Sequence, residues 1–365
     1  LILSAAGEAV ADAGIAARDL DEIFLGTFNG GMVRQEFPAS RVPELDEAVR
    51  FTPVTRVENA CATGSAAIYQ GLDAIAAGRA RLVLALGVEK MTACAADQVT
   101  DILSRGAYQK ELGPEPLSFP GLFALLAKRY FQQHGDQSEA LARIAAKNHR
   151  NGARNPLAHL QKDLGYAFCR HESERNPMVA PPLKRTDCST IADGAAAVVL
   201  AALDTALGME KAIVFRARQH VQDFLPMAKR DLLAFEGPAL AWRRALDEAG
   251  MTLESLSLAE VHDCFTPAEL LSYEAMGLAE RGRGAEVILE GRSEADGALP
   301  VNPSGGLKAK GHPIGATGVS MHALAAAQVT ASAGEIQVPG ATVAGVFNMG
   351  GLAVANYVSI VEPLR

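Results

Sequence analysis

The chain carries one structural plan twice. Aligning Ala13-Gly14 with Ala249-Gly250, an offset of 236 residues, sets Leu20 on Leu256 and Leu25 on Val261. In both copies a helix ends in Ala-Gly, a short acidic turn follows, and an apolar strand comes next. Each copy then has a loop, a helix of small residues and another apolar strand, at 81–87 in the first copy and 342–347 in the second. Runs that are apolar throughout, such as RLVLALG, suit a parallel sheet covered on both faces. Two βα-rich halves of similar plan imply a duplicated α/β fold. Their equivalent helix starts would converge near the junction, where such sheets make sites.

Between the strands at 81–87 and 195–202 the character changes. Residues 90–188 are broken by prolines and hold basic helical stretches at 121–135 and 138–151. This segment reads as an insertion that caps the site. The expected organisation is therefore a first half made of 1–89 and 189–204, the 90–188 insertion, and a second half at 205–365. The duplication also places a strand at 212–218, ahead of the helix that ends at Gly250. The first copy shows only a helix at 3–14, so one central sheet is expected to be a strand short of the other.

Composition removes several classes. A net charge of −8 argues against a nucleic-acid partner or an anionic membrane surface. Apolar runs such as 82–88 are far shorter than the roughly 20 residues that span a bilayer. The five cysteines are scattered and odd in number, which fits a reducing, cytoplasmic setting better than a disulfide framework. There is no CxxC or HExxH, so no metal site is expected. The C-terminus lacks the peroxisomal Ser-Lys-Leu form.

Three stretches place reactive side chains at turns. Residues 305–318, GGLKAKGHPIGATG, surround a His-Pro pair with five glycines. Pro313 suits a first helical turn and the alanine-rich run at 314–329 continues it, so His312 is expected at a helix N-terminus. The dipole there disfavours imidazolium and leaves a neutral ring, ready as base or donor. Neither GxxxxGK[ST] nor GxGxxG is present, which speaks against a phosphate loop. Residues 57–67, VENACATGSAA, put Cys61 at a strand-to-helix turn, where helix amides lower a thiol pKa and bind an oxyanion. The small neighbours leave room for a long thin substrate; the plain alternative is a buried cysteine packed as a small hydrophobe. Residues 260–267, EVHDCFTP, put His262 and Cys264 on one side of a strand end, or else form a core cysteine and a satisfied histidine. The run Asn348-Met349-Gly350-Gly351 follows the strand at 342–347. Its glycines would bring backbone N–H groups beside the nucleophile, though alone such a pair is only a turn.

Together, NACATGSA around Cys61, HDCF at 262–265 and GGLKAKGHPIGATG resemble the thiolase family over nearly the whole chain. HDCF, with FPGLFALLAKRYFQQHG and KNHRNGARNP in the insertion, is similar to its sterol-carrier-protein type. The resemblance implies two βαβαβαββ halves packed as αβαβα layers, with a helical loop insertion. It implies coenzyme A as a substrate, with no bound cofactor. It also implies a homodimer or dimer of dimers joined through the first half, and leaves room for an accessory protein partner. Residue by residue, Cys61 would be the nucleophile that becomes acylated. His312 would deprotonate it and help hold the thioester oxygen, and His262 would complete that oxyanion hole through a water. Backbone N–H groups of Cys61 and Gly350 would form a second hole. Asn348 stands where ordinary thiolases carry their second acid/base cysteine. In the sterol-carrier-protein type that cysteine comes from HDCF, which gives the role to Cys264.

The expected reaction is thiolytic cleavage of a 3-oxoacyl-CoA or the reverse Claisen condensation. The alternatives are a ketoacyl synthase, a hydroxymethylglutaryl-CoA synthase, a steroid side-chain aldolase, or a non-catalytic scaffold that binds acyl-CoA or a partner. HDCF fits a ketoacyl synthase poorly, and an aldolase would be expected to lack the reactive cysteine. Arg143, Lys147, His149, Arg150, Arg154, Lys184 and Arg185 are candidates for the phosphate contacts of CoA.

Overall fold

The computed structural model describes residues 1–111 and 118–365. The first half opens with helix α1 (Ile2–Asp12), strands β1 (Glu22–Gly26) and β2 (Val54–Val57), helix α2 (Thr63–Ala76) and strand β3 (Leu82–Lys90). The insertion follows, with helices α3 (Ala96–Ser104), α4 (Phe119–His134), α5 (Ser138–Gly152) and α6 (Gly165–Arg170) and a hairpin of β4 (Met178–Ala180) and β5 (Leu183–Lys184). Strand β6 (Asp193–Ala201) returns to the first half, and the short helix α7 (Leu203–Ala206) leaves it. The second half starts with β7 (Ile213–Gln222), α8 (Glu236–Ala249), β8 (Leu258–Val261), α9 (Thr266–Ala275) and α10 (Gly284–Leu289). It closes with α11 (Gly306–Lys310), α12 (Ile314–Val329), β9 (Ala344–Gly350) and β10 (Ala355–Pro363).

The two main sheets run β2-β1-β3-β6 and β8-β9-β10-β7. In the first, β1 is parallel to β2 and β3, and β6 is antiparallel to β3. In the second, β8 is parallel to β9, and β10 is antiparallel to β9. The repeated unit is thus β1-β3-β6 in one half and β8-β9-β10 in the other. Helices α1 and α8, which lead into β1 and β8, both stop at a left-handed glycine, Gly14 and Gly250, each at φ +65°. Glycine reaches that conformation without strain, and it ends a helix there.

The expected difference of one strand between the sheets is not seen, since among the described residues both have four. Strand β7 does lie against β10, while the first sheet ends at β6. Among the described residues, however, the second sheet has no ladder that matches β2. Val301 makes a single bridge to Ala259 there, among the described residues. Each sheet lacks a different edge, so the counts agree.

Five layers result. Helix α1 covers the outer face of the first sheet with Ala6 and Val10, and α8 covers the second with Trp242 and Ala245. Between the sheets lie α2 and α12, and α12 touches β3 and β6 on one side and β9 and β10 on the other. The two inner helices meet at glycines. A Cβ on Gly64 would lie 2.6 Å from Val319 N, and one on Gly318 would lie 2.2 Å from Ser65 N. Only the absence of side chains lets these backbones touch, and that contact brings both helix N-termini to one place. The insertion leaves the first sheet but packs on the second half. Helix α5 rests on α9, α10 and α11, and α4 rests on α9. No helix among the described residues is long and apolar enough to cross a membrane.

Candidate active site

Cys61 sits in the turn from β2 to α2. The residue before it, Ala60, is held at φ +49°, a conformation costly for a residue with a Cβ and typical of over-determined functional turns. Asn59 N–H donates to Thr63 Oγ1 at 2.8 Å, and Asn59 Nδ2 donates to the Tyr357 hydroxyl of the other half at 2.9 Å. The strained turn is therefore fixed from both halves.

His312 lies between Gly311 and Pro313, the residue that caps α12. Its Nδ1 is 2.7 Å from Thr317 Oγ1, one turn into that helix. His262, just past the end of β8, has its Nδ1 2.9 Å from Asn348 Nδ2. The two rings are perpendicular, with an interplanar angle of 86° and centroids 5.0 Å apart. Cys61 Sγ and one ring nitrogen of each histidine lie within 4.8 Å of one another. Residues more than 200 positions apart in sequence thus converge on a single point.

A cavity of about 450 Å³ opens on this point and is lined by Cys61, Cys264 and His312. Its walls are mainly apolar: Phe28, Met91, Phe119, Phe123, Phe265 and Ile314. Phe123 of α4 stacks on Phe265 with ring centroids 4.5 Å apart. The insertion therefore contributes directly to the cavity, and the HDCF phenylalanine is one of its anchors.

Burial dominates the electrostatics. It pushes the Cys61 thiol up to about 12; the Gly351 N–H facing the sulfur works against this, and the Glu89 and Glu58 carboxylates add to it. The shift is opposite to the lowering expected from helix amides, because desolvation outweighs them. The amides facing the sulfur are those of Gly351 and of Cys61 itself. Gly350 lies against the Cys61 turn, where a Cβ would be 2.5 Å from Asn59 O. His312 is neutral as expected, but the cause is burial, which with nearby Lys310 lowers it to about 3. Burial, then His312 and Lys310, hold His262 well below its usual range. Burial, then Cys61 and Asp263, hold the Cys264 thiol well above its own. At neutral pH the site contains two thiols and two neutral imidazoles.

Several supporting residues have roles that the sequence left unassigned. Asp263, fully buried, points away from the cavity. Its Oδ1 accepts from Leu307 N–H at 2.6 Å, and its Oδ2 accepts from Asn148 Nδ2 at 2.7 Å. It thereby ties the HDCF turn to α11, whose end leads into His312. A Cβ on Gly306, which is at φ +58°, would fall 2.3 Å from Asp263 Oδ2, so that turn admits only glycine. Glu89 anchors the other side, accepting from Phe28 N–H at 2.9 Å, Asn29 N–H at 3.0 Å and Gly315 N–H at 3.1 Å.

The basic residues considered for CoA divide sharply. Lys147 is fully buried and paired with Glu269 at 2.5 Å, and Lys184 is buried beside Asp187 at 3.1 Å. His149 is buried and lowered to about 3 by desolvation and then by Lys308. These three are structural and are withdrawn as phosphate contacts. Arg185 is exposed and lines the cavity.

Residues 1–204 match the family model for the thiolase N-terminal domain, and residues 220–363 match the thiolase C-terminal domain-like model. This chain belongs to the thiolase family. The acetyl-CoA acetyltransferase of Methanothermobacter thermautotrophicus is 36% identical to it over 356 residues, which cover 96% of this chain and 91% of that protein. Sterol carrier protein 2 of Homo sapiens is 33% identical over 316 residues, 82% of this chain and 56% of the relative. The solved Ltp2-ChsH2(DUF35) aldolase shares the fold with a TM-score of 0.83 at 22% identity, covering 100% of this chain and 93% of that one.

Proposed function

We propose that this thiolase-family chain forms an acyl-enzyme on Cys61 and cleaves, or in reverse makes, the C2–C3 bond of a 3-oxoacyl-CoA. One observation carries the reading. The sulfur of Cys61 meets a nitrogen of His262 and of His312 within 4.8 Å, at a cavity that also exposes Cys264.

In the cleavage direction His312 takes the Cys61 proton as the sulfur attacks the 3-oxo carbon. The oxygen on that carbon becomes an oxyanion, and the amides of Cys61 and the Gly350-Gly351 turn hold it. As it collapses, the C2–C3 bond breaks and its electron pair leaves as the enolate of acetyl-CoA. His262 and His312 hold the thioester oxygen on which that charge rests, and Cys264 delivers its proton to C2. The acyl group is now on Cys61. Incoming CoA loses its thiol proton to Cys264, attacks the acyl carbon and releases acyl-CoA, and Cys61 recovers its proton from His312. The thiols are mostly protonated at rest, so proton transfer has to accompany each bond change.

Purified protein incubated with acetyl-CoA should carry an acetyl group on the peptide containing Cys61, and Cys61→Ala should not. Acetoacetyl-CoA should be consumed only with added CoA, and prior dialysis against EDTA should not change the rate. If wild-type protein gives neither adduct nor thiolysis, the reading is wrong. A second reading draws on the aldolase fold neighbour: retro-aldol cleavage with a partner subunit. Cys61 in the reaction centre favours thiol chemistry, and retro-aldol activity retained by Cys61→Ala would favour the second reading. An accessory subunit that binds acyl-CoA is compatible with either.

A further inference from the structure

Asn348, which takes the place of a cysteine in ordinary thiolases, is fully buried at the end of β9 and reaches three groups. Its Nδ2 is 3.1 Å from Cys61 O and 2.9 Å from His262 Nδ1, and its Oδ1 is 2.8 Å from Ser65 Oγ. A carbonyl oxygen can only accept, so the group facing Cys61 O must be the NH₂. Its second hydrogen then goes to His262 Nδ1, while the Ser65 hydroxyl donates to Oδ1. His262 Nδ1 is consequently the bare nitrogen, and the ring hydrogen sits on Nε2. That Nε2 is buried and has no partner among the described residues.

At His312 the same bookkeeping gives the opposite result. Thr317 Oγ1 donates its one hydrogen to Pro313 O at 3.1 Å, so it accepts from His312 Nδ1 at 2.7 Å. His312 Nε2 therefore carries a lone pair, and it too is buried and unpartnered among the described residues. Two perpendicular neutral imidazoles thus present unlike nitrogens, a donor from His262 and an acceptor from His312.

We propose that Asn348 is a positioning residue that fixes the Nε2–H tautomer of His262, so that His262 serves only as an oxyanion donor and His312 alone serves as base. The catalytic part of this inference rests on the acyl-enzyme reading above. Asn348→Asp preserves size but inverts the bonding. A carboxylate accepts from Nδ1–H, draws the ring hydrogen to Nδ1 and turns the Nε2 lone pair toward the developing oxyanion. A wrong histidine tautomer of this kind disables serine proteases whose triad aspartate is made an amide.

Wild-type protein labelled with ¹⁵N in its histidine imidazoles decides the tautomer without any change at Asn348; His262→Gln identifies the signal. A neutral His262 with hydrogen on Nε2 is expected. An Nδ1–H pattern, or an imidazolium at pH 7, would overturn the proposal. In Asn348→Asp that signal should switch to Nδ1–H. Its kcat should fall about 10²–10³-fold, the cost of one lost oxyanion donor, and KM should stay near the wild-type value because substrate binding is untouched. A switched tautomer with wild-type kcat would overturn the catalytic role, and so would a lowered kcat with the tautomer unchanged. Wild-type protein that shows the expected tautomer but never acetylates Cys61 upholds the assignment and rejects the acyl-enzyme reading instead.

Discussion

Replacing Cys264 by alanine should separate the two thiols of the site. Cys264 is 5% exposed and is held in its protonated form chiefly by burial. It can therefore give a proton to a carbanion formed in the cavity it shares with Cys61. The variant removes one buried sulfur, a stability cost of about 1 kcal/mol, which lowers Tm by no more than roughly 2–4 °C in a chain this large. The kinetic cost is greater. A positioned acid/base group contributes about 10²–10⁴-fold, or about 2.7–5.4 kcal/mol of barrier. Acylation of Cys61 by acetyl-CoA uses Cys264 only to protonate the departing CoA thiolate, which, unlike a carbanion, can leave without a positioned acid. Mass spectrometry should therefore still find acetyl on Cys61 in Cys264→Ala, while thiolysis of acetoacetyl-CoA drops by that factor. Thiolysis close to the wild-type rate would refute the reasoning and reduce Cys264 to packing beneath the Phe265 turn. Loss of the acetyl adduct from a variant with unchanged Tm would refute it equally, because the two roles would then not be separable.

Three further outcomes are expected. Alkylation of Cys61 by iodoacetamide should keep accelerating past about pH 10.5, because burial sets the thiol at about 12 and its thiolate fraction still grows there; a rate half-maximal at about pH 9 and flat above about pH 10.5 would show an unshifted thiol. Gly318→Ala should lower the urea midpoint by the equivalent of about 1–3 kcal/mol, typical of overpacking, since its Cβ would sit 2.2 Å from Ser65 N and 2.5 Å from Asn348 Oδ1; an unchanged midpoint would mean that α2 and α12 separate freely. Light scattering at micromolar concentration should give twice the 38.3 kDa chain mass, consistent with Phe37 and Phe51 exposed at 74% and 88% near the edge strand β2; a monomeric mass would remove the dimer.

The local features were legible because they depend on neighbouring residues. Gly14 and Gly250 stop helices by their own conformational freedom, the apolar runs mark strands buried on both faces, and Pro313 starts α12. The duplication then implied where Cys61 and His312 would meet. The sign of the Cys61 shift was not legible, since it sets a few helix amides against the desolvation produced by every element around the sulfur. Asn348 read as a departure from a motif, and only its three partners reveal an amide that orients a histidine. Lys147 looked like any basic residue on a helix face. Its partner Glu269 is 122 positions away, and whether a lysine is solvated or bridges a buried carboxylate is decided by what the fold places beside it. Sequence determines which chemistry each turn can offer, whereas desolvation and long-range hydrogen bonds come from packing, and that is where the protonation states of this site are set.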